Sequence, residues 1–366
     1  MFGRLGPEHF APSLQNTHPR NHLFPPRPST IGVPHSRRVF VLVARVGAHL
    51  RSRTGSRTGC PARPPTFSIE FVMSTPNAAA SGTFLVGGDL PVHRLGFGTM
   101  RLVGEGAWGE PADPAECRRV LRRAVELGVT LIDTADAYGP EIAERLIGEA
   151  LAPYAPGVVI ATKGGITRQG PAKTEYVGRA GYLIQCVEMS LRRLKLERID
   201  LYQLHRIDPR TPLEESLGAL RGMQEQGKIR HIGLSEVTPA EIEEAEKIVP
   251  IVTIQNRYSL ADRRHEETLN YCERRGIGFM PWYPYAGGKL LKPDHPSAQE
   301  LIRIAGMHLV TVSQLALAWL LQRSPVLLPI PGTSKVAHLE ENVAAAQLRL
   351  KPQEWAEVEL AAAAPI

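Results

Sequence analysis

Chemically reactive side chains stand at the ends of several short apolar segments that have the pattern of buried β-strands. In LIDTADAYG, residues 131–139, Asp133 ends a predicted strand and Tyr138 follows five positions later. The next predicted strands, VVIATK and IDLYQLH, end in Lys163 and His205. Polar or aromatic residues also end the three strands after these: Ser235, then Gln255 and Asn256, then Trp282.

An acid, a phenol, an amine and an imidazole at neighbouring strand ends suit proton donation to a carbonyl oxygen. The pKa of a free tyrosine is about 10, and a nearby ammonium such as Lys163 is expected to lower the pKa of Tyr138. Asp133 would hold Lys163 in place and keep it charged, and His205 would orient the carbonyl oxygen or relay a proton. This set suits protonation of an oxygen that becomes negative when a hydride reaches its carbon. The sequence has no Ser–His nucleophile motif and no cluster of metal ligands.

The elements that must position these residues alternate along the chain. TFLVGGDLPVHRLGFGT predicts a β-hairpin that turns at Gly87, Gly88 and Asp89. Eight strand–helix units follow over roughly 270 residues, which favours a closed barrel of parallel strands. We therefore predict the α/β class, as a (β/α)8 TIM barrel preceded by an N-terminal β-hairpin. The alternative, an open doubly wound sheet, lacks its GxGxxG fingerprint after the first strand.

Helix boundaries carry their own signals. Asp113 and Pro114 predict the start of the first helix, and Gly128 predicts its end. Thr238, Pro239 and Glu241 have the pattern of a capping box before a later helix. In a barrel built this way the carboxyl ends of the strands meet at one face, which would bring the reactive residues together.

Positive charge is concentrated at the start of the chain. The 366 residues carry a net charge of +6, but residues 1–72 contain ten Arg, no Lys and only two acids, which gives +8 and leaves −2 for residues 73–366. The near-neutral remainder does not indicate nucleic acid as a partner. No apolar run reaches the roughly 18 residues of a membrane span, so no membrane partner is predicted.

Residues 1–72 are rich in Pro, Arg, Ser and Gly, and this composition predicts a disordered basic extension. We favour a start called too early, with Met73 as the true beginning and residues 73–366 as the catalytic barrel domain. A basic functional extension and an organellar transit peptide are the alternatives, although the many prolines oppose the second. The four cysteines are scattered, which indicates reduced thiols and a cytoplasmic location.

Seven motifs together resemble the aldo-keto reductase superfamily: LGFGTM, LIDTADAYG, ATKGG, LYQLHRID, GKIRHIGLSE, IQNRY and IPGTSKVAHLEEN. They span nearly all of residues 83–362. The resemblance implies a catalytic tetrad of Asp133, Tyr138, Lys163 and His205, with Tyr138 as the general acid. It also implies NADPH as the cofactor, in preference to NADH, and a small carbonyl compound as the substrate.

The same resemblance implies a set of cofactor-binding residues. Ser235 and Gln255 would hold the nicotinamide carboxamide, Trp282 would stack on the ring, and residues 284–288 would form the pyrophosphate loop. The adenosine end would bind where a strand enters a helix with free N–H groups, at Gly332, Thr333, Ser334, Lys335, His338, Glu341 and Asn342. Many members have Lys where this chain has Gly332 and Arg where it has His338, so Lys335 would supply the missing charge. Glu341 and Asn342 would contact adenine.

Within the superfamily the motifs are most similar to bacterial members of the pyridoxal reductase or pyridoxine 4-dehydrogenase type. This implies reduction of pyridoxal or another small aromatic aldehyde. By their positions, Trp108 after the first strand and either Tyr283 or Tyr285 after the seventh would form an apolar wall, and Arg206 and Asp208, next to His205, would line the mouth. A nicotinamide-binding regulatory subunit, similar to the β-subunits of potassium channels, is the alternative function. A dehydrogenase that works mainly towards alcohol oxidation would use the same residues. The sequence leaves the oligomeric state open.

Overall fold

The structure is a computed structural model, and it describes residues 75–285 and 296–363 of the chain. The predicted disordered segment 1–72 and the predicted start at Met73 lie outside these residues, as do residues 286–288 of the predicted pyrophosphate loop.

Strands and helices alternate along the described residues, as the sequence pattern predicts. The strands are β1 (Thr83–Val86), β2 (Leu90–His93), β3 (Phe97–Gly98), β4 (Leu131–Asp133), β5 (Val159–Gly164), β6 (Ile166–Gly170), β7 (Lys173–Tyr176), β8 (Ile199–Leu204), β9 (Ile229–Ser235), β10 (Ile251–Gln255) and β11 (Gly278–Phe279). The helices are α1 (Pro114–Glu126), α2 (Ile142–Leu151), α3 (Ala180–Leu194), α4 (Leu213–Glu225), α5 (Pro239–Glu246), α6 (Glu266–Arg275), α7 (Pro296–Met307), α8 (Val312–Arg323), α9 (Val336–Ala344) and α10 (Pro352–Ala363).

Seven of these strands form one sheet in the order β3, β4, β5, β8, β9, β10, β11, and every neighbouring pair is parallel. The order follows the chain because a helix lies in each connection between successive strands of the sheet. The antiparallel hairpin β6–β7 is inserted between β5 and α3 and was not predicted. The α/β class with a parallel sheet is confirmed.

Two helix starts show how the local sequence sets these connections. The Asp113 carboxylate accepts a hydrogen bond from the Glu116 N–H at 2.8 Å, and Pro114 begins α1. Thr238 and Glu241 form the predicted capping box before α5. Each cap satisfies N–H groups that a helix start leaves without partners, and such a cap is worth about 1 kcal/mol.

The predicted eighth strand, VLLPIPG, is not a regular strand, but it forms a bridge at Leu327 and hydrogen-bonds to both edges of the sheet. At one edge, Phe279 of β11 donates to the Val326 carbonyl and accepts from the Leu328 N–H, both at 2.8 Å. At the other edge, the Gly96 N–H donates to the Pro329 carbonyl at 2.9 Å. The segment therefore lies between β11 and β3.

Glycine makes the contact at the β3 edge possible. A Cβ at Gly98 would lie 2.7 Å from the Ile330 carbonyl oxygen, and a Cβ at Gly332 would lie 2.6 Å from the Gly98 carbonyl oxygen. Side-chain Cβ atoms do not approach backbone oxygens this closely, so the strand and the segment need glycine at both positions.

The hairpin β1–β2 packs at the amino ends of the strands. Val86 and Val92 belong to the same buried cluster as Leu131, the first residue of β4, and Val159, the first residue of β5. The opposite, carboxyl ends of the strands carry the polar residues that the sequence analysis singled out.

Among the described residues, no single helix is long and apolar enough to cross a membrane; one bent helix pair, 298–307 with 312–323, passes that test by length and composition only.

Candidate active site

The four predicted catalytic residues lie together at the carboxyl ends of three neighbouring strands. Asp133 ends β4, Lys163 lies near the end of β5, and His205 directly follows β8. Tyr138 lies in the loop between β4 and α2. All four side chains are buried, and Lys163 is fully enclosed.

Lys163 is the centre of the hydrogen-bond network. Its Nζ donates to Asp133 Oδ2 at 2.8 Å, to the Thr134 carbonyl at 2.7 Å and to the Tyr138 hydroxyl at 3.3 Å. Burial alone lowers the pKa of Lys163, but Asp133 and Tyr138 outweigh burial, so the pKa is raised above its ordinary value. Lys163 is therefore a buried ammonium at neutral pH, with one hydrogen bond directed to the phenol.

Asp133 is also held from its other side. Its Oδ1 accepts hydrogen bonds from the side-chain amides of Gln255 at 2.8 Å and Gln203 at 3.3 Å. A buried carboxylate with this many donors stays in one orientation, so it fixes the ammonium that it pairs with. Gln203 was not predicted; it precedes His205 by two positions in LYQLH.

The pKa of Tyr138 differs from the expectation. Burial raises the pKa, Lys163 and Arg206 lower it, and Asp133 raises it further, so that the net pKa lies above the ordinary value of 10.0. The predicted net lowering is thus wrong for the protein without a ligand, because removing the phenolate from water outweighs its attraction to Lys163. The phenol keeps its proton at neutral pH.

His205 is neutral for a related reason. Burial first, and then the positive charges of Lys163, Arg206 and Arg168, lower its pKa well below 6.5. Its ring meets the Tyr138 ring edge to face, with centroids 6.0 Å apart. Its Nδ1 is buried and has no hydrogen-bond partner among the described residues. A neutral imidazole offers one donor and one acceptor nitrogen, which suits orientation of a polar ligand atom.

Asp133, Tyr138 and His205 open onto one cavity of about 510 Å³. Its wall is largely apolar and aromatic, with a few polar groups, a composition typical of small-molecule sites. The described residues that line it are Gly98, Met100, Arg101, Asp133, Tyr138, Ile166, Arg168, Thr174, Tyr176, His205, Arg206, Ser235, Gln255, Trp282, Tyr283, Pro284, Tyr285, Ile330 and Gly332. Tyr283 and Tyr285 are in the wall as predicted, whereas Trp108 is not among these lining residues and instead forms a backbone bridge with Gly139.

A family model, that of the aldo/keto reductase family, matches residues 94–363. The chain belongs to the aldo/keto reductase family. This family comprises NADP-dependent oxidoreductases, and the chain is therefore an enzyme of that class.

Curated relatives agree with this assignment. An uncharacterized oxidoreductase of Schizosaccharomyces pombe is 49% identical over 289 residues, which cover 78% of this chain and 92% of the relative. Pyridoxine 4-dehydrogenase of Escherichia coli is 41% identical over 280 residues, which cover 75% of this chain and 96% of the relative. Among solved structures, an aldo-keto reductase from Klebsiella pneumoniae in complex with NADPH is 27% identical, with a TM-score of 0.66, and the match covers 76% of this chain and 94% of that one.

The nicotinamide end of the family's cofactor fits the residues around the cavity. Ser235, at the end of β9, donates to the Gln255 carbonyl at 2.9 Å, so the two predicted carboxamide ligands are adjacent. Trp282 follows β11 and lines the same cavity. The Ser235 hydroxyl, the Gln255 side chain and the Trp282 ring line one cavity with His205, and polar side chains beside an aromatic ring suit a carboxamide-bearing aromatic ring. Asn256, in contrast, bonds to both backbone groups of Val237 and holds the loop after β9.

The predicted adenosine-binding residues lie in three different surroundings. Gly332 lines the cavity, while Lys335 and His338 are exposed at the start of α9. Glu341 and Asn342 already have partners, the Thr311 hydroxyl at 2.7 Å and the Tyr285 hydroxyl at 2.6 Å.

The loop before α9 carries a local turn. The Thr333 hydroxyl accepts a hydrogen bond from the Lys335 N–H at 3.1 Å, with Ser334 between them. The N–H groups that begin α9 are not all free, because the Val336 N–H donates to Glu116 Oε1 of α1 at 3.2 Å. The expectation that all of these N–H groups are free is therefore wrong, because the Val336 N–H has a partner. The contact joins residues 220 positions apart in the chain.

Glu236 is a site residue that the sequence analysis missed. Its Oε1 accepts hydrogen bonds from the Trp282 indole N–H at 2.6 Å and from the Arg257 N–H at 2.7 Å. Burial by itself raises the pKa of Glu236, but His265, Trp282 and the Arg257 N–H outweigh burial and lower it to about 2. Glu236 also has a left-handed backbone with φ of 57°, a strained state that is common at functional sites. The only sequence signal was its position directly after Ser235.

Of the two residues predicted near the mouth, one lines the cavity. Arg206 donates to the His205 carbonyl at 2.6 Å and to the Ser235 hydroxyl at 2.8 Å. Asp208 instead accepts hydrogen bonds from the Gly178 N–H and from Arg210, so it organises the loop after β8.

Proposed function

We propose that the chain catalyses NADPH-dependent reduction of an aldehyde or ketone to an alcohol, with Tyr138 as the general acid. The observation that carries this proposal is the hydrogen bond from the buried Lys163 ammonium to the Tyr138 hydroxyl, 3.3 Å long, at the wall of the cavity. NADPH, when bound, supplies the hydride to the carbonyl carbon.

Each residue of the tetrad has a distinct proposed role. Tyr138 is protonated before the reaction, as a general acid must be, and donates its proton to the carbonyl oxygen as negative charge develops there. Lys163 then stabilises the phenolate that remains. Asp133 keeps Lys163 charged and in position. Neutral His205 orients the carbonyl oxygen beside Tyr138.

The cofactor residues keep the roles that the family resemblance implies, now as proposals. Ser235 and Gln255 bind the carboxamide, and Trp282 stacks on the nicotinamide ring. The exposed side chains of Lys335 and His338 are free to meet the 2′-phosphate. The adenosine end is proposed to lie along Gly332, Thr333, Ser334, Lys335, His338, Glu341 and Asn342, with Glu341 and Asn342 at the adenine.

For the substrate we propose pyridoxal or another small aromatic aldehyde. Tyr176, Trp282, Tyr283 and Tyr285 give the cavity several aromatic surfaces, which suit a flat ring. The similarity to pyridoxine 4-dehydrogenase of Escherichia coli points to the same chemical class.

We further propose that segment 326–331 is the eighth strand of a closed (β/α)8 barrel. Its hydrogen bonds to both edges of the sheet support closure. The barrel domain is proposed to span residues 73–366, with residues 1–72 as a separate basic extension. A cytoplasmic location is supported by the free, buried state of Cys117, Cys186 and Cys272, the cysteines among the described residues.

A carbonyl panel tests the function. The protein is mixed with NADPH, or with NADH, and with pyridoxal, 4-nitrobenzaldehyde or an aliphatic aldehyde, and the loss of reduced-nicotinamide absorbance is followed. We expect reduction of the aromatic aldehydes and a higher kcat/KM with NADPH. A protein that binds NADPH but reduces no carbonyl in the panel would contradict the proposal and support a regulatory nicotinamide-binding role.

A further inference from the structure

The wall of the cavity carries an excess of positive charge. Three arginines, Arg101, Arg168 and Arg206, and one carboxylate, Asp133, are among the described lining residues. Asp133 is already paired with Lys163, which is buried behind it. Among the residues that the structure describes, the cavity wall therefore presents three cationic side chains against one carboxylate that is already paired, and the ionised Glu236 outside this wall offsets part of the charge of Arg206.

Among the residues that the structure describes, Arg168 and Arg206 are held by hydrogen bonds and not by salt bridges. Arg168 donates to the Ala137 carbonyl at 2.6 Å and to the Gly106 carbonyl at 3.3 Å. Arg206 uses one guanidinium nitrogen for the His205 carbonyl and the Ser235 hydroxyl. Within the described ranges neither has an acidic side chain at salt-bridge distance, whereas Arg193, on the outer helix α3, pairs with Glu144 at 2.7 Å. Positioned guanidinium groups of this kind suit an external carboxylate or phosphate.

Both guanidinium groups also lie next to the reacting residues, because Arg168 donates to the carbonyl of Ala137, the residue before Tyr138, and Arg206 donates to the carbonyl of His205. In agreement with this proximity, the charges of Arg206 and Arg168 contribute to the lowered pKa of His205, and Arg206 acts in the same direction on Tyr138. Arg101 is different, because its Cγ lies 3.6 Å from the position of a Cβ on Gly332, within the segment proposed for the cofactor. Arg168 therefore lies on the substrate side and Arg101 on the cofactor side, while Arg206 lies where the two meet, because it also donates to Ser235, the proposed carboxamide ligand.

We infer that the cavity selects aldehydes that carry an anionic group, a carboxylate or a phosphate monoester, and that Arg168 and Arg206 bind this group. The inference rests on the proposed reductase function and adds the substrate class to it. The apolar aromatic wall holds the body of the substrate, Tyr138 and His205 meet its carbonyl oxygen, and the two arginines bind the charged end. Arg168 is supplied by the β6–β7 hairpin, so this hairpin determines specificity.

A matched pair of aldehydes tests the inference. 4-Carboxybenzaldehyde and its neutral methyl ester, methyl 4-formylbenzoate, have the same ring and the same reacting group. With saturating NADPH we expect kcat/KM of the wild-type protein to be at least about 10-fold higher for the acid, since hydrogen bonds to charged groups contribute at about this level. The ratio of the two kcat/KM values is the readout, so each variant serves as its own reference for folding and cofactor loading.

Substitutions then assign the effect to the two arginines. Arg168→Gln and Arg206→Gln should each reduce the acid-to-ester ratio about 10- to 100-fold, and Arg168→Lys should restore part of it. Arg122→Gln, an exposed position on α1, is the surface control and should leave the ratio unchanged. Phosphate as the preferred anion would appear as a higher kcat/KM for pyridoxal 5′-phosphate than for pyridoxal.

Three outcomes are decisive. Reduction of the ester at least as efficiently as the acid would overturn the inference and leave the reductase function intact. Variants that raise the NADPH dissociation constant without changing the ratio would overturn it as well, because the arginines would then serve the cofactor phosphates. If the wild-type protein reduces neither aldehyde, the proposed function fails. Calorimetric binding of terephthalate to the NADP⁺-loaded protein then tests the inference alone, and binding that Arg168→Gln does not weaken would overturn it.

Discussion

Replacing Lys163 by Met should destabilise the protein far more than the loss of an ordinary ion pair. Lys163 is fully buried and donates three hydrogen bonds, two of them no longer than 2.8 Å. Methionine fills a similar volume but leaves the Asp133 carboxylate enclosed, with only the amides of Gln203 and Gln255 as donors. Removing one partner of a buried pair costs about 3–5 kcal/mol, because the remaining charge has lost its compensation.

The second substitution in this experiment removes the stranded charge. In the Lys163→Met protein, Asp133→Asn should restore at least about 2 kcal/mol of the lost stability, since a neutral amide is far cheaper to bury than a carboxylate. The surface pair of Arg118 and Glu149, 3.0 Å long and about one-third exposed at each side chain, provides the comparison. Arg118→Met should cost less than about 1 kcal/mol.

The assay is urea unfolding followed by far-ultraviolet circular dichroism, without cofactor, so that ligand binding does not add to the stability of any variant. The midpoints of the wild-type protein, Lys163→Met, the double variant and Arg118→Met are compared at one protein concentration. If the double variant is no more stable than Lys163→Met, the cost does not come from an uncompensated buried charge, and the electrostatic reasoning for the site is wrong.

Three further predictions concern the surroundings of the tetrad. Glu236→Ala should weaken NADPH binding about 5- to 50-fold, measured by quenching of tryptophan fluorescence, because the Trp282 indole loses its acceptor; Glu236→Gln should lose less. Burial and the carboxylate of Glu144 raise the pKa of Asp136 from 3.8 to about 7. The free energy of unfolding therefore falls as the pH rises between these two values, because Asp136 ionises less readily in the folded than in the unfolded protein. Asp136→Asn should therefore gain stability over the wild-type protein from about pH 4 upwards, by at most roughly 4 kcal/mol above about pH 7, measured by urea midpoints. Glu116→Gln removes a negative charge at the Val336 N–H, near the start of α9 where the 2′-phosphate is proposed to bind. The NADPH dissociation constant should therefore fall about 2- to 5-fold, and the NADH dissociation constant should not change.

Each of these predictions has a result that would contradict it. Unchanged NADPH affinity in Glu236→Ala would show that the Trp282 ring needs no anchor for cofactor binding. A stability difference for Asp136→Asn that is the same at about pH 5 and about pH 8 would remove the titration from the explanation. Equal gains in NADPH and NADH affinity for Glu116→Gln would mean that the carboxylate does not act on the 2′-phosphate.

The convergence of the tetrad could be predicted because it depends on chain order alone. Parallel strands joined by helices bring their carboxyl ends to one edge, so residues that end successive strands become neighbours even when the strands are short. Asp133, Lys163 and His205 occupy such positions, and the distances among Asp133, Lys163 and Tyr138 follow from them. The glycines at positions 98 and 332 also agree with this arrangement, because β3 and the segment after β11 approach each other closely at these two positions.

Other features depend on tertiary contacts that leave no periodic signal. The net direction of the Tyr138 pKa required the degree of burial, which outweighs the Lys163 charge. The contact between Glu116 and the start of α9 joins two elements that are distant in sequence. The β6–β7 hairpin was missed because both strands are short and β7 is exposed along its whole length, so the sequence shows no apolar alternation. Arg168 enters the cavity from that hairpin, and for this reason sequence reasoning could not place it.

The rate of hydride transfer in a single turnover of Tyr138→Phe tests the central claim most directly. The substitution removes one hydroxyl and keeps the ring, and we expect the rate to fall about 10²- to 10⁴-fold, the usual contribution of a positioned general acid, while the NADPH dissociation constant stays near that of the wild-type protein. Tyr154→Phe is the matched control, because its hydroxyl donates to the Leu194 carbonyl and Tyr154 is not among the described residues that line the cavity, so its rate should not change. A Tyr138→Phe protein that transfers hydride as fast as the wild type would contradict the assignment of Tyr138 as the proton donor.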